Sequence, residues 1–234
     1  MNHSMRIAII NWSRRMMGGA ERYLSELIPS MVRAGYEVGF WHEMDLPSDR
    51  ESIWLPDGAP AWCADELGRE RALAELREWK PDLVFTHIIN DLDVEEAVLR
   101  IAPAIFFAHA YYGTCISGTK THKWPTPTPC GHPFGPACLI RYYPRRCGGL
   151  NPLTMLRDYG RQSRRLELIG EYRAVVTNST HLREEYVLNG VDPLRAYALP
   201  PPVASPSEGG AERTERGEGW RLLFLGRMDS LKGG

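Results

Sequence analysis

Apolar positions cluster along the chain in two different rhythms. Ile7-Ala8-Ile9-Ile10, Leu83-Val84-Phe85, Ile105-Phe106-Phe107-Ala108 and Ala174-Val175-Val176 are short, unbroken apolar runs. Runs of this kind predict strands buried on both faces, since a half-exposed strand would alternate. Between them lie longer stretches whose apolar residues recur every three or four positions, the period of an amphipathic helix. The spacing predicts helices over 18–34, 65–79, 91–100, 153–172 and 182–188. In the first, Tyr23, Leu24, Leu27, Ile28, Met31 and Val32 form one face, and Pro29 predicts a kink or a shifted boundary. Gly35 is a stop signal, Ser179 or Thr180 can cap the last helix, and Gly190 closes it. Shorter strands are expected at 38–42, 59–63 and 197–199. Strand and helix alternate, which predicts an α/β fold: a Rossmann-like parallel sheet with helices on both faces. Ligands of such sheets bind beyond the carboxyl ends of the strands, where Asn11, His87 and His109 fall.

One stretch organises the rest. The first strand leads through a polar loop into Gly18-Gly19-Ala20-Glu21 and then a helix. Glycine lets a ligand approach the backbone, and a helix N-terminus offers free N–H groups to an anion. The pair is not the G-x-G-x-x-G dinucleotide fingerprint, which argues against an NAD enzyme. Glu21, in the first helical turn, is either an acid favoured by the helix dipole or a ligand contact. His109 can bind a substrate hydroxyl or a charged oxygen as a neutral imidazole.

Charge removes one class of function. The chain has 234 residues and a formal net charge of −1, so a general nucleic-acid binder is not expected. No apolar run is long enough to span a membrane, and Met1 to Met5 show no signal-peptide core. The expected location is the cytoplasm.

Residues 111–150 break the alternation and read as a Cys/Pro-rich insertion. Cys115, Cys130, Cys138 and Cys147 lie there with His122 and His132, among few aliphatic residues. Such a segment needs a staple. Structural zinc bound by the four thiolates, disulfides and free thiols are the three readings, and there is no C-x-x-C pair to choose between them. Cys63, in a strand, reads as a small core residue. Arg141, Arg145, Arg146, Arg157, Arg161, Arg164, Arg165 and Arg173 follow. They predict either a solvated face or a basic patch for anionic lipid headgroups, hence peripheral contact at the inner membrane face. Residues 204–219 read as a linker, after which Leu222-Leu223-Phe224-Leu225-Gly226-Arg227 opens a new strand and Lys232-Gly233-Gly234 follows.

Three places together resemble family-four glycosyltransferases of the GT-B fold: the strand–Gly18-Gly19–helix opening, the strands leading to His109 and Asn178, and the Gly226-Arg227 entry with Lys232. The resemblance implies retaining transfer of a sugar from a nucleotide-sugar donor to a glycan or glycolipid acceptor. Residues 1–203 would be the acceptor-binding domain and 220–234 the truncated start of the nucleotide-sugar-binding domain. Gly18, Gly19, Glu21 and Asn178 would line the donor or acceptor site, and His109 would be the catalytic contact to the sugar. Arg227 and Lys232 would neutralise the leaving diphosphate, with no catalytic metal. Residues 220–234 hold no Glu-x7-Glu pair of the kind that family carries, so this chain alone is expected to be inactive. The alternatives are a non-catalytic Rossmann-like binding module, or a subunit needing a donor-domain partner. A zinc-stabilised nucleic-acid binder is disfavoured by the charge.

Overall fold

The computed structural model describes residues 4–201 except Ser48. The expected linker at 204–219, and Arg227 and Lys232, lie outside the described residues. The chain runs β1 (Arg6–Ser13), α1 (Gly19–Arg33), β2 (Glu37–Met44), β3 (Ala61–Cys63), α2 (Ala64–Leu67), α3 (Arg69–Glu78), β4 (Leu83–Thr86), α4 (Leu92–Leu99) and β5 (Ala104–Ala108). A two-stranded hairpin, β6 (Thr121–His122) with β7 (Thr128–Pro129), and α5 (Ala137–Tyr142) follow. The chain then returns through α6 (Pro152–Ile169), β8 (Ala174–Thr177), α7 (Thr180–Leu188) and β9 (Ala196–Ala198).

Seven strands make one sheet in the order β3-β2-β1-β4-β5-β8-β9, every neighbouring pair parallel. This is the expected Rossmann-like sheet. Its order reverses between β1 and β4, which opens a crevice at their carboxyl ends. One face packs Ala8, Ile10, Trp41, Val84 and Phe106 against the helices α3, α4 and α6 and against Tyr172 and Tyr186. The other packs Ile9, Phe40 and Val38 against Leu24 and Ile28 of α1. Successive strand residues therefore enter opposite cores, which is why the strands are uniformly apolar.

The element boundaries depart from expectation where backbone chemistry intervenes. The single helix predicted for 65–79 is two, because Gly68 adopts φ +84 between them. α1 runs through Pro29 without a break. Burial of Leu24 and Ile28 on either side of the second turn offsets the lost backbone hydrogen bond. Gly35 closes that helix at φ +88, with its N–H bonded to Val32 and that of Tyr36 to Met31. Ser179, not Thr180, caps α7, its hydroxyl accepting from the Leu182 amide at 3.3 Å.

The Cys-rich segment lies between β5 and α6, outside the seven-stranded sheet. Its core is small: Ile116 and Tyr142 pack with Met155 of α6. Part of the basic stretch is engaged inside the domain. Arg165 is buried, donating to Glu95 at 3.2 Å, and Arg164 pairs with Asp93 and Glu96 at 2.8 Å. Arg161 donates to the Asn90 carbonyl. Arg164 and Arg165 tie α6 to α4 and Arg161 ties it to the chain just before α4, while Arg145, Arg146, Arg157, Arg164 and Arg173 are exposed to solvent.

Candidate active site

The crevice at the carboxyl edge is a cleft of about 650 Å³. Gly18, Gly19, Glu21, His109 and Asn178, drawn from three separate parts of the sequence, all line it. Arg227 and Lys232 cannot be placed, lying outside the described residues. Trp12, Tyr23 and Tyr112 also line the cleft and were not anticipated. Trp12 is the one the pattern could have flagged, since it directly follows the strand-end residue Asn11.

Gly18 caps α1 without a side-chain partner, so the first-turn amides meet the cleft with no competing cap. Gly18 is extended at φ −172, a conformation open to any residue. A methyl group at Gly19 would meet nothing within 4 Å, and one at Gly18 only Glu21 Oε2 at 3.8 Å. The fold itself therefore does not require glycine here. Glu21 is buried and held through Oε1, which accepts from Trp12 Nε1 at 3.0 Å and Asn11 Nδ2 at 3.3 Å. Asn11 in turn accepts from the Ile88 amide at 3.2 Å and donates to the Ser13 carbonyl at 2.7 Å. Glu21 thus has an anchoring role whether or not its second oxygen meets a ligand.

His109 stands one residue past β5. Its Nε2 lies 2.9 Å from Nδ1 of His87, which is fully buried one residue past β4. Burial lowers His109 to about 4 and depresses His87 well below the ordinary histidine range. Both rings are neutral at neutral pH. The pair then shares one proton. His87 Nε2 is buried with no partner among the described residues. A buried orphan N–H is the rarer and costlier defect, so the shared proton sits on His87 Nδ1 and His87 Nε2 is bare. His109 consequently carries its own proton on Nδ1, on the ring edge away from His87. With this assignment Nδ1 of His109 is a hydrogen-bond donor, and His109 lines the cleft. Tyr23 packs at 4.5 Å on Phe107 and edge-on to His109 at 5.9 Å, and burial pushes its hydroxyl up to about 12.

Cys115, Cys130, Cys138 and Cys147 surround a second, separate pocket of about 30 Å³ with His122 and His132. All four thiols are free, as is buried Cys63, which removes the disulfide reading. Burial raises the Cys138 and Cys147 thiols, and the neighbouring cysteines add to it. The zinc expectation needs correction in one respect. Among the described residues no three such side chains already stand in metal-holding geometry. The sulfurs ring the pocket without closing on a point.

A family model described as Glycosyltransferase Family 4 matches residues 17–205, most of the chain. The chain belongs to that family. This family-4 domain is similar in structure to the lipopolysaccharide outer core galactosyltransferase WaaB in its apo form, at 12% identity and TM-score 0.44, over 83% of this chain and 45% of that one. Anabaena Alr3699/HepE in complex with UDP is 14% identical at TM-score 0.45, over 86% of this chain and 47% of that one. An α,α-trehalose-phosphate synthase (UDP-forming) from Burkholderia vietnamiensis is 10% identical at TM-score 0.42, over 86% and 49%. The chain spans about half the length of these proteins. No curated protein sequence matches it. Among the described residues no helix of the family-4 domain is long and apolar enough to cross a membrane.

Proposed function

We propose that this family-4 domain is the acceptor-binding part of a retaining glycosyltransferase that uses a nucleotide-sugar donor. The observation that carries the reading is the convergence of Gly18, Gly19, His109 and Asn178 on one cleft at the sheet's switch point. The His109 Nδ1–H donates to a hydroxyl of the transferring sugar. Gly18 and Gly19 admit a phosphate or acceptor against the start of α1, where the helix dipole favours negative charge. In the same reading, residues 220–234 begin the nucleotide-binding domain. Arg227 and Lys232 stabilise the diphosphate as its charge develops in the transition state. No divalent metal is needed for that step.

The acceptor in this reading is a glycan or a lipid-linked glycan. Ile140, Leu150 and Leu153 are exposed in a stretch that also carries Arg145 and Arg146. An amphipathic surface of this composition suits a lipid-linked substrate at the inner face of a membrane, with the protein in the cytoplasm. Support for a broader basic patch is weaker, because Arg161, Arg164 and Arg165 are engaged internally.

The test uses the protein as its native host produces it, assayed with a panel of nucleotide sugars for donor hydrolysis and transfer. The expected result is turnover of one donor with retained anomeric configuration by NMR. His109→Ala should lose about 10²-fold in kcat, the scale of one preorganised donor at a developing charge. Donor binding without turnover would replace this reading with a non-catalytic binding module. An inverted product would refute retention.

A further inference from the structure

We infer that the pocket ringed by Cys115, Cys130, Cys138 and Cys147 is a structural zinc site with four thiolate ligands, clipping the Cys-rich segment together. Sugar transfer and this site are independent of one another. Four sulfurs from positions spread over 33 residues face one pocket of about 30 Å³. That volume admits an ion and excludes an organic cofactor. Four thiolates in a tetrahedron are the ligand set of structural zinc.

The pocket wall supplies a second, independent pointer. Thr114 Oγ1 and Arg141 Nη1 both line it, both are buried, and neither has a hydrogen-bond partner among the described residues. Thr114 as a whole is 1% exposed. Two orphaned donors on one wall are unfavourable unless an acceptor completes them. Neutral thiols are poor acceptors, whereas zinc-bound thiolates are anionic and accept well. His122 Nδ1 already lies 3.7 Å from Cys147 Sγ, placed to donate to that sulfur. The Lys120 ammonium, also on the wall and buried, adds positive charge next to a centre of net charge −2. It is itself fixed by Glu185 at 2.7 Å and by the His132 carbonyl at 2.5 Å. Binding would convert four S–H groups and one Zn²⁺ into a tetrathiolate complex, releasing four protons to solvent. The sulfurs line the pocket wall, so binding would require the cysteine side chains to turn toward the ion.

The segment also has need of it. The apolar cluster on these 40 residues has only Ile116 and Tyr142 buried from the segment, joined by Met155 of α6 and partly buried neighbours such as Phe134 and Leu139, and only short β6, β7 and α5 give it regular structure. An ion bound by four ligands across the segment stabilises what so small a core cannot.

The full chain, purified without chelator, should carry one equivalent of zinc by elemental analysis. After zinc is stripped, Co²⁺ added alone should produce thiolate-to-metal charge-transfer bands and the strong visible bands of tetrahedral cobalt. Cys138→Ser should lose the metal and make residues 111–150 sensitive to limited proteolysis, while Cys63→Ser should keep it. His122→Ala should retain one equivalent, since it acts on a ligand and is not one. Metal lost in His122→Ala but kept in any one of the four Cys→Ser variants would overturn the four-thiolate set. Absence of zinc and no cobalt spectrum, with all five thiols titrating freely, would overturn the site altogether.

Discussion

Replacing His87 by Phe tests the proton assignment in the cleft directly. The ring it removes is packed: Phe85 lies edge-on at 4.5 Å, Phe107 stacks at 5.5 Å and Tyr23 tilts at 5.8 Å. A phenyl ring keeps those contacts. It loses one hydrogen bond to His109, about 0.5–1.5 kcal/mol net. It also removes a buried nitrogen with no partner, a defect of about 1–3 kcal/mol, and adds a little volume to a full core at about 1–3 kcal/mol. These nearly cancel, so thermal stability should stay within about 1 kcal/mol, or roughly 2–4 °C for a domain of this size. His109 behaves differently. Burial alone holds it near 4, so it stays neutral without His87. What it loses is the bond that keeps its proton on Nδ1. Taking that bond at about 0.5–1.5 kcal/mol, kcat/KM should fall about twofold to tenfold. Steady-state kinetics on the native enzyme beside differential scanning fluorimetry would read both numbers. An unchanged kcat/KM at unchanged melting temperature would refute the tautomer argument. A loss as large as that of His109→Ala would mean His87 touches the reactants itself.

Three further outcomes follow from the same geometry. The two histidines sit below the ordinary 6.5 in the folded state, His109 at about 4, so the unfolded chain binds more protons between those values. Stability from His109 is therefore fully present above about pH 6.5 and lost as pH falls toward 4, by about 3 kcal/mol; denaturant melts across that range should show the loss shrink in His109→Gln. Arg165→Ala leaves buried Glu95 without its charge partner and should cost about 3–5 kcal/mol, whereas Arg165→Met with Glu95→Gln should cost much less in urea denaturation. Gly19→Ala meets no atom within 4 Å and should leave the melting temperature level or slightly raised, yet raise KM for donor or acceptor; an unaltered KM would mean no ligand approaches that backbone.

The sheet was legible because each central strand is buried on both faces, so Ile7–Ile10, Leu83–Thr86 and Ile105–Ala108 carry their own signature. Gly68 was not, because a helical pattern on either side hides a residue whose importance is its positive φ. The cleft was half legible. Strand-end residues and a glycine turn are local signals, so Gly18, Gly19, His109 and Asn178 could be named from the chain. That His87 and His109 touch depends on β4 lying beside β5, a fact of sheet order that no local pattern contains. Tyr23 reads as a packing residue of the first helix, and it is its position at the cleft wall that changes its meaning.

The arginines show the same limit and what it means for the cleft. Composition alone favours a solvated basic face for α6, since arginine is rarely buried. The partner that reverses this for Arg165 is Glu95, 70 residues earlier in the chain, which also accepts from the Tyr172 hydroxyl at 3.1 Å. With Arg164 on Asp93 and Glu96, these bonds dock α6 on α4. α6 then supplies Gln162, whose side chain accepts from the Gly113 amide at 2.7 Å, and Gly113 packs against the Leu166 backbone at φ +74, where a side chain would not fit. That contact fixes the chain immediately after Tyr112, at the rim of the cleft. Charges that composition assigns to solvent or lipid thus set the position of the loop leaving His109. Breaking the Arg165–Glu95 pair should disturb the cleft as well as the core.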